Sequence, residues 1–285
     1  MDYRSPNVRR RRLGQVLRGL REQAGMTLEE AAQKANVPRS TLGRIETADA
    51  RRLRASDLDA LADLYKVDQK TREAMHQLAQ QSKERGWWSK YRDVFGDQAL
   101  PDWEAEASMI RTFEALTIPG LFQTPEYATA VFQAGRAIRE EDVVRRVEAR
   151  MKRREIFNWI KPPHMVAVID EGALRRLVGG PEVMREQLVH LKNMAHRHHI
   201  DIQVLPYAAG AHLALAGPFT ILDFPSPKDQ PIVYVGTAAD DLFLEQPDEI
   251  ERYNVAFSNV QGVALSTALS VEFIDDVLKS LGSAS

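Results

Sequence analysis

The sequence contains no cysteine. That absence excludes a disulfide framework, a thiol nucleophile, a Cys-ligated zinc site and a Cys-held iron–sulfur cluster. It leaves His, Asp and Glu as the side chains able to hold a metal. No apolar run approaches the roughly 18 residues of a membrane span. An apolar leader is missing from the charged start, so a cytoplasmic location and no membrane partner are expected. Net charge is nearly absent too, at −2 over 285 residues. What is present is a 44% hydrophobic fraction, typical of globular protein, which excludes wholesale disorder. The length suits two domains.

The small net charge is a cancellation. Residues 1–56 carry 13 Lys/Arg and 6 Asp/Glu, net +7, whereas residues 57–285 carry 25 and 34, net −9. A basic head on an acidic body fits a nucleic-acid-binding module joined to a second domain. The run Arg9-Arg10-Arg11-Arg12, taken alone, fits a disordered basic arm as well.

The pattern beneath the charge separates the two. Leu13, Val16, Leu17 and Leu20 recur at helical spacing, and Ala24-Gly25 ends that helix with a left-handed cap. Thr27-Leu28-Glu29-Glu30 has the form of a capping box and opens a second helix bearing the small Ala31, Ala32 and Ala35. Asn36-Val37-Pro38 turns the chain, Asn tolerating the left-handed conformation. Arg39 to Thr47 forms a third helix, with Leu42 and Ile45 inward and Arg39, Ser40, Thr41 and Arg44 outward. Ser56-Asp57 caps a fourth, and another helix runs from Thr71 to about Ser82. A short turn between two helices, the second presenting Arg, Ser and Thr near its start, is the helix-turn-helix arrangement.

Residues 13–67 resemble the XRE (phage Cro/repressor-like) family of DNA-binding domains. The resemblance is carried by Leu17 to Arg21, Gly25-Met26-Thr27, Ala31-Ala32, Val37 to Leu42 and Arg44-Ile45-Glu46. It implies that Arg39, Ser40, Thr41 and Arg44 face the major groove. Thr27 and the first amides of its helix would hold a phosphate, and Arg51, Arg52 and Arg54 would meet the backbone. Two departures stand out: Leu28, where the family often has a phosphate-contacting Gln, and Asn36, where Gly is common.

Residues 1–80 thus read as an all-α helix-turn-helix domain, 81–104 as a Trp-rich connector and 105–285 as an α+β domain. Trp87, Trp88 and Trp103 in the connector suit a packed core better than a platform for single strands. Further on, Glu104–Leu116 reads as a helix, Thr124-Pro125 as the start of another, and Glu140–Trp159 as a long amphipathic one. Strand-like runs follow at 165–169, 202–205, 219–224, 232–235 and 242–244. Helices at 171–178 and 181–197 make the first pair βαβ-like, and the later strands read as antiparallel. A small mixed sheet is expected.

This half resembles the C-terminal domain of unknown function of WhiJ-type helix-turn-helix regulators from streptomycetes and relatives. Trp87-Trp88, Ile118 to Ala128, Asp170 to Arg176, Val178-Gly179-Gly180, Gln187-Leu188, Val204-Leu205-Pro206, Gly217 to Thr220 and Val233-Tyr234-Val235 carry it. The resemblance implies developmental or antibiotic-related regulators, described as antitoxin-like and often encoded beside a small partner protein. It implies no reaction. Gly236 stands where the family often has Glu, and the usual Gln near Arg153-Arg154 is absent. Gln123, Glu171 and Tyr234 are the candidates for lining a ligand or partner pocket.

No P-loop, dinucleotide fingerprint or nucleophile elbow occurs, so neither an enzyme nor a cofactor is expected. His196, His198 and His199 lie where a helix runs out, a position that favours cations without any metal. Asp240-Asp241 reads as a polar turn and His190 as an ordinary surface residue. Two functions fit. One is a sequence-specific transcriptional regulator, a homodimer on a double-stranded operator, whose C-terminal domain senses a small molecule or a small protein. The other is an antitoxin-like protein that mainly sequesters a small protein partner.

Overall fold

The structure, a computed structural model, describes residues 6–50, 53–82, 87–95, 100–134, 139–226, 229–237 and 241–282. It divides into two compact units, Met1–Glu106 and Ala107–Ser285. No helix among the described residues is long and apolar enough to cross a membrane.

The first unit is helical. It comprises α1 (Pro6–Gln23), α2 (Leu28–Lys34), α3 (Arg39–Glu46), α4 (Ala55–Leu64), α5 (Gln69–Gln81), a 3-10 turn at Trp87–Tyr91, α6 (Arg92–Phe95) and α7 (Leu100–Glu104). Leu13, Leu17, Ala31, Ala32, Leu42, Ile45, Leu58, Leu61, Met75 and Ala79 share one core drawn from the first five helices. Gly25 at φ 64° and Asn36 at φ 53° take the left-handed turns expected on either side of α2.

Three local expectations are corrected. Val16 is exposed, because the buried stripe of α1 runs through Leu13 and Leu17, one turn apart. Ser56-Asp57 does not cap α4, which begins at Ala55 with Arg54 at its N-cap and no side-chain cap. The Arg9–Arg12 run is no loose arm, since α1 starts at Pro6 and includes it. Arg9 Nη2 donates to both oxygens of Glu106, at 2.9 and 3.1 Å. Arg11 is buried, with its guanidinium 5.8 Å from the centre of the Trp103 ring. The Trp87 ring meets Trp88, Tyr91 and Phe95 edge-on at about 6 Å.

Two features lock α3 against α1. A Cβ on Gly14 would lie 2.6 Å from the Ile45 carbonyl oxygen and 2.8 Å from that of Glu46, so only glycine allows the approach. Arg21 Nε and Nη2 donate to the two carboxylate oxygens of Glu46, both at 2.8 Å, and Arg21 Nη1 donates to the Met26 carbonyl at 3.0 Å.

The second unit is built on a six-stranded mixed sheet of order β3-β2-β1-β4-β5-β6, as expected for an α+β domain. The strands are β1 (Met109–Glu114), β2 (His164–Asp170), β3 (Ile200–Leu205), β4 (Phe219–Asp223), β5 (Ile232–Gly236) and β6 (Asp241–Leu244). The helices are α8 (Pro125–Gln133), α9 (Glu140–Arg153), α10 (Glu171–Arg175), α11 (Pro181–Ala195), α12 (Pro247–Val263) and α13 (Thr267–Gly282). β1, β2 and β3 run parallel, and β4, β5 and β6 continue antiparallel from β1. Phe113, Val166, Val168, Phe219, Ile221 and Val233 pack with Phe257 and Val260 of α12 on one face.

The helix expected over Glu104–Leu116 is overturned. Its first residue ends α7, and its centre is β1, a strand paired on both sides. The competing force is tertiary. Arg111 Nε and Nη2 each donate to Asp223 at 2.8 Å, and the Thr112 and Thr220 hydroxyls bond at 2.9 Å across β4. The expected long helix at 140–159 likewise stops at Arg153 and tightens into a 3-10 turn, Arg154–Asn158.

The Gly14 contact gives a matched pair of substitutions. Gly14→Ala lowers the stability of the N-terminal unit by about 1–3 kcal/mol, the range for overpacking. Gly19→Ala on the same helix, with nothing near its Cβ position, leaves stability unchanged or raises it by about 0.5–1 kcal/mol. Urea titration followed by circular dichroism separates the two outcomes.

Candidate functional site

The outward side of α2 and α3 is the candidate nucleic-acid interface. Pro38 stands at the N-cap of α3, and Leu42 and Ile45 bury its inner face. Geometry then turns Arg39, Ser40 and Arg44 to solvent and leaves Thr41 half-buried beside them. The four predicted groove-facing residues are therefore brought together within two turns of one helix. Arg44 Nε donates to the Ser40 carbonyl at 3.3 Å, and Arg39 Nε lies 2.9 Å from Glu29 Oε2 of α2 as an ion pair.

Thr27 caps α2 as predicted. Its hydroxyl accepts from the Glu30 N–H at 3.2 Å, while the Glu30 carboxylate accepts from the Thr27 N–H at 2.8 Å and from its hydroxyl at 2.9 Å. Those bonds hold the Glu30 carboxyl below the usual range. The Glu30 carboxylate thus engages Thr27 through both its N–H and its hydroxyl. Leu28, the departure noted in the sequence, is half-buried, with its Cδ2 3.5 Å from the Cβ position of Gly43. It packs α2 against α3 where a Gln would reach outward. Arg54 is exposed at the start of α4, and Arg51 and Arg52 lie outside the described residues.

In the second unit the carboxyl ends of the parallel strands carry the polar groups. Asp170 Oδ1 accepts from the Gly172 N–H at 2.7 Å and caps α10. The buried Glu171 accepts from Arg175 Nε at 2.6 Å and from the Tyr207 N–H at 2.8 Å, which ties the end of β2 to the turn leaving β3. Gln123 is also buried. Its amide donates to the Ile118 carbonyl at 2.8 Å and its oxygen accepts from Arg150 Nη1 at 2.6 Å. Tyr234 lies on β5, two strands from β1 and about 10 Å across the sheet. Its hydroxyl donates to Asp241 at 2.8 Å. The three predicted pocket residues therefore do not meet at one point.

Residues 98–276 match the model of a domain of unknown function, DUF5753, and residues 12–75 match that of a helix-turn-helix domain. The chain belongs to the DUF5753 family. No curated protein and no solved structure matches it.

Within the DUF5753 domain, sequence reasoning missed Glu114. It ends β1 and, by strand alternation, shares a face with Ile110 and Thr112. Burial pushes its carboxyl up to about 7, against the pull of Arg150 and Arg153 on α9. A Cβ on Gly120 would stand in ordinary contact, 3.7 Å from the Arg150 guanidinium carbon and 3.8 Å from Arg153 Nη1, so both arginines lie against this corner. A charged residue ending a strand was the signal, lost once the segment was read as a helix. His190 is no ordinary surface residue either. It is half-buried and accepts from Arg154 Nη2 at 2.8 Å, and burial followed by Arg154 and Arg197 lowers it to about 4, which keeps it neutral. His196 bonds the Lys192 carbonyl at 2.7 Å, and among the described residues no group of three or more His, Asp or Glu is placed to hold a metal.

Glu114 makes the domain's stability depend on pH with a definite sign. Its carboxyl moves from 4.5 to about 7 on folding, so the folded state holds the proton to higher pH than the unfolded chain. Stability from this group is complete below about pH 4.5 and is lost as pH rises through about 7. Glu114→Gln therefore raises the melting temperature of the DUF5753 domain at about pH 8 and changes it little at about pH 5, as calorimetry at the two pH values measures.

Proposed function

We propose that this chain is a sequence-specific, DNA-binding transcriptional regulator of the XRE type. In this reading it works in the cytoplasm as a homodimer on a double-stranded operator, without cofactor or catalytic activity. Its DUF5753 domain senses a small ligand or a small partner protein, in the manner implied by the resemblance to WhiJ-type regulators. The observation that carries the reading is the exposed outer face of α3, where Arg39, Ser40, Thr41 and Arg44 lie beside one another on a buried inner face. Arginine addresses a guanine edge with two donors, and Ser and Thr serve either base type. Arg51, Arg52 and Arg54 follow in the chain and are assigned to phosphates, each neutralised phosphate adding about −0.9 to the salt slope. Thr27 supports the interface by fixing the start of α2.

A second reading, in which the chain chiefly sequesters a small protein, draws on the loops at the carboxyl edge of the parallel strands. Leu116 follows β1, and Tyr207, Leu213 and Leu215 lie between β3 and β4, each more than half exposed. Apolar side chains left in water on one edge suit a protein partner. Stable co-purification of the full chain with the product of an adjacent small gene supports this reading, and its failure counts against it.

The main reading is tested by selecting bound sequences from random DNA duplexes. The wild-type chain enriches a defined site whose affinity falls steeply with salt. Arg39→Ala with Arg44→Ala reduces preference for that site over random DNA by roughly 30-fold or more, the loss expected for two base contacts. Undiminished preference in the double variant places base reading elsewhere.

A further inference from the structure

We infer that the corner beyond the carboxyl end of β1 binds a phosphate-bearing small molecule, held by a row of arginines on α9 with Glu114 beside them. This rests on the ligand-sensing part of the reading above and names that ligand's site and chemistry. Arg146, Arg150 and Arg153 follow one another at intervals of four and three residues, so they share one face of α9. The row is about 10 Å long, enough for two phosphate groups. It lies against the domain. The guanidinium carbons of Arg150 and Arg146 stand 4.5 and 6.0 Å from the centre of the Phe132 ring on α8. Arg150 Nη1 donates to Gln123 at 2.6 Å, and Arg150 and Arg153 both touch the Gly120 corner. The three arginines and Glu114 are half-buried, so solvent reaches the corner, whereas the neighbouring Tyr127 is fully buried.

Guanidiniums side by side in a partly desolvated corner repel one another, and a bound anion relieves that repulsion. Phosphate suits the row because each planar fork can give two donors to two of its oxygens. Glu114 makes the binding depend on protons. It lies in the field of Arg150 and Arg153, yet among the described residues no hydrogen bond or ion pair reaches its carboxyl. Protonated, that carboxyl adds an O–H donor for a phosphate oxygen; ionised, it repels the same oxygen. It titrates at about 7, so binding takes up a proton near neutral pH and weakens as pH rises through that value. The other group facing it, Tyr127 of α8, accepts from the Ile118 N–H at 3.1 Å, and burial raises its pKa, so it stays neutral throughout. A ligand bearing only carboxylates meets the same guanidiniums, and the experiment separates it from phosphate.

The experiment is calorimetric titration of the full-length chain with inorganic pyrophosphate and, separately, citrate, at fixed ionic strength and at about pH 6.5 and 8.5. The variants are Arg146→Ala, Arg153→Ala and Glu114→Gln, each checked for a native circular dichroism spectrum. At the lower pH the wild type binds pyrophosphate more tightly than citrate. Each arginine variant weakens pyrophosphate about tenfold or more, the loss of a charge-assisted bond. Between the two pH values wild-type affinity falls roughly tenfold or more relative to that of Glu114→Gln, which carries only the ligand's own titration. No pyrophosphate binding by the wild type at millimolar concentration overturns the site, as does affinity within about twofold of wild type in both natively folded arginine variants. Tighter binding of citrate overturns the choice of phosphate, and parallel pH profiles of wild type and Glu114→Gln overturn the part given to Glu114. Pyrophosphate that binds as expected yet leaves affinity for the selected DNA site unchanged counts against sensing by this domain and leaves the binding site standing.

Discussion

The outer face of α3 keeps its side chains in water because α3 is held at one distance from α1, and the Arg21–Glu46 pair sets that distance. The two side chains are only 14% and 7% exposed, and their paired donors and acceptors meet at 2.8 Å. The Glu46 carboxylate raises the Arg21 pKa further, so the cation persists at any accessible pH. A buried pair of this kind adds little net stability over an apolar one, but breaking it leaves a charge stranded. Its geometric effect is larger. Arg21 also takes the Met26 carbonyl, so one guanidinium joins the end of α1, the turn into α2 and the end of α3. Gly14 supplies the steric counterpart, since the backbone oxygens of Ile45 and Glu46 approach where any Cβ would stand. Attraction at one point and the absence of a side chain at the other leave α3 a single seating.

In the DUF5753 domain the corresponding constraint is β1. It lies between a parallel and an antiparallel neighbour, so the three-stranded parallel half and the antiparallel half meet along it. Its carboxyl end is where α/β folds usually place ligands, next to the loops that leave the strands. Here that end holds Glu114 with two arginines of α9 nearby, and the neighbouring strand end holds Asp170 and Glu171. Glu171 is committed to Arg175 and to the Tyr207 amide, which makes it a brace for the loops. Glu114 differs, because its carboxyl is poised near neutral pH and can carry a proton or a charge according to what lies beside it.

How much of this was legible in the sequence depended on the range of the forces involved. Local ones could be read. The capping box at Thr27, the left-handed Gly25 and Asn36, the Thr124 cap and Pro125 are decided within four residues, and each appears where expected. The strands from β2 to β6 could be read too, because their β-branched runs are bounded by turn residues. β1 was not, and the reason is specific. Glu104, Glu106 and Ala107 favour helix, and Ile110 and Phe113 fall three apart. The partners that extend the segment, Asp223 and Thr220, are more than 100 residues away. The same limit hid Glu114, whose character depends on α9. It also hid Glu29, since a surface carboxylate in a capping sequence carries no sign that it meets Arg39.

The basic head illustrates how far a charge count is from a charged surface. The net +7 of residues 1–56 suggested a nucleic-acid-binding module. Several of those charges are spent inside the fold: Arg9 on Glu106, Arg11 against Trp103, Arg21 on Glu46. Arg18 is paired along its own helix with Glu22. Among the described residues, α3 turns Arg39 and Arg44 outward, and Arg54 is exposed further along. Glu29 and Glu30 set carboxylates close by, on α2. In the DNA-binding reading proposed above, carboxylates of this kind would penalise a misplaced phosphate where a uniform basic patch would accept it.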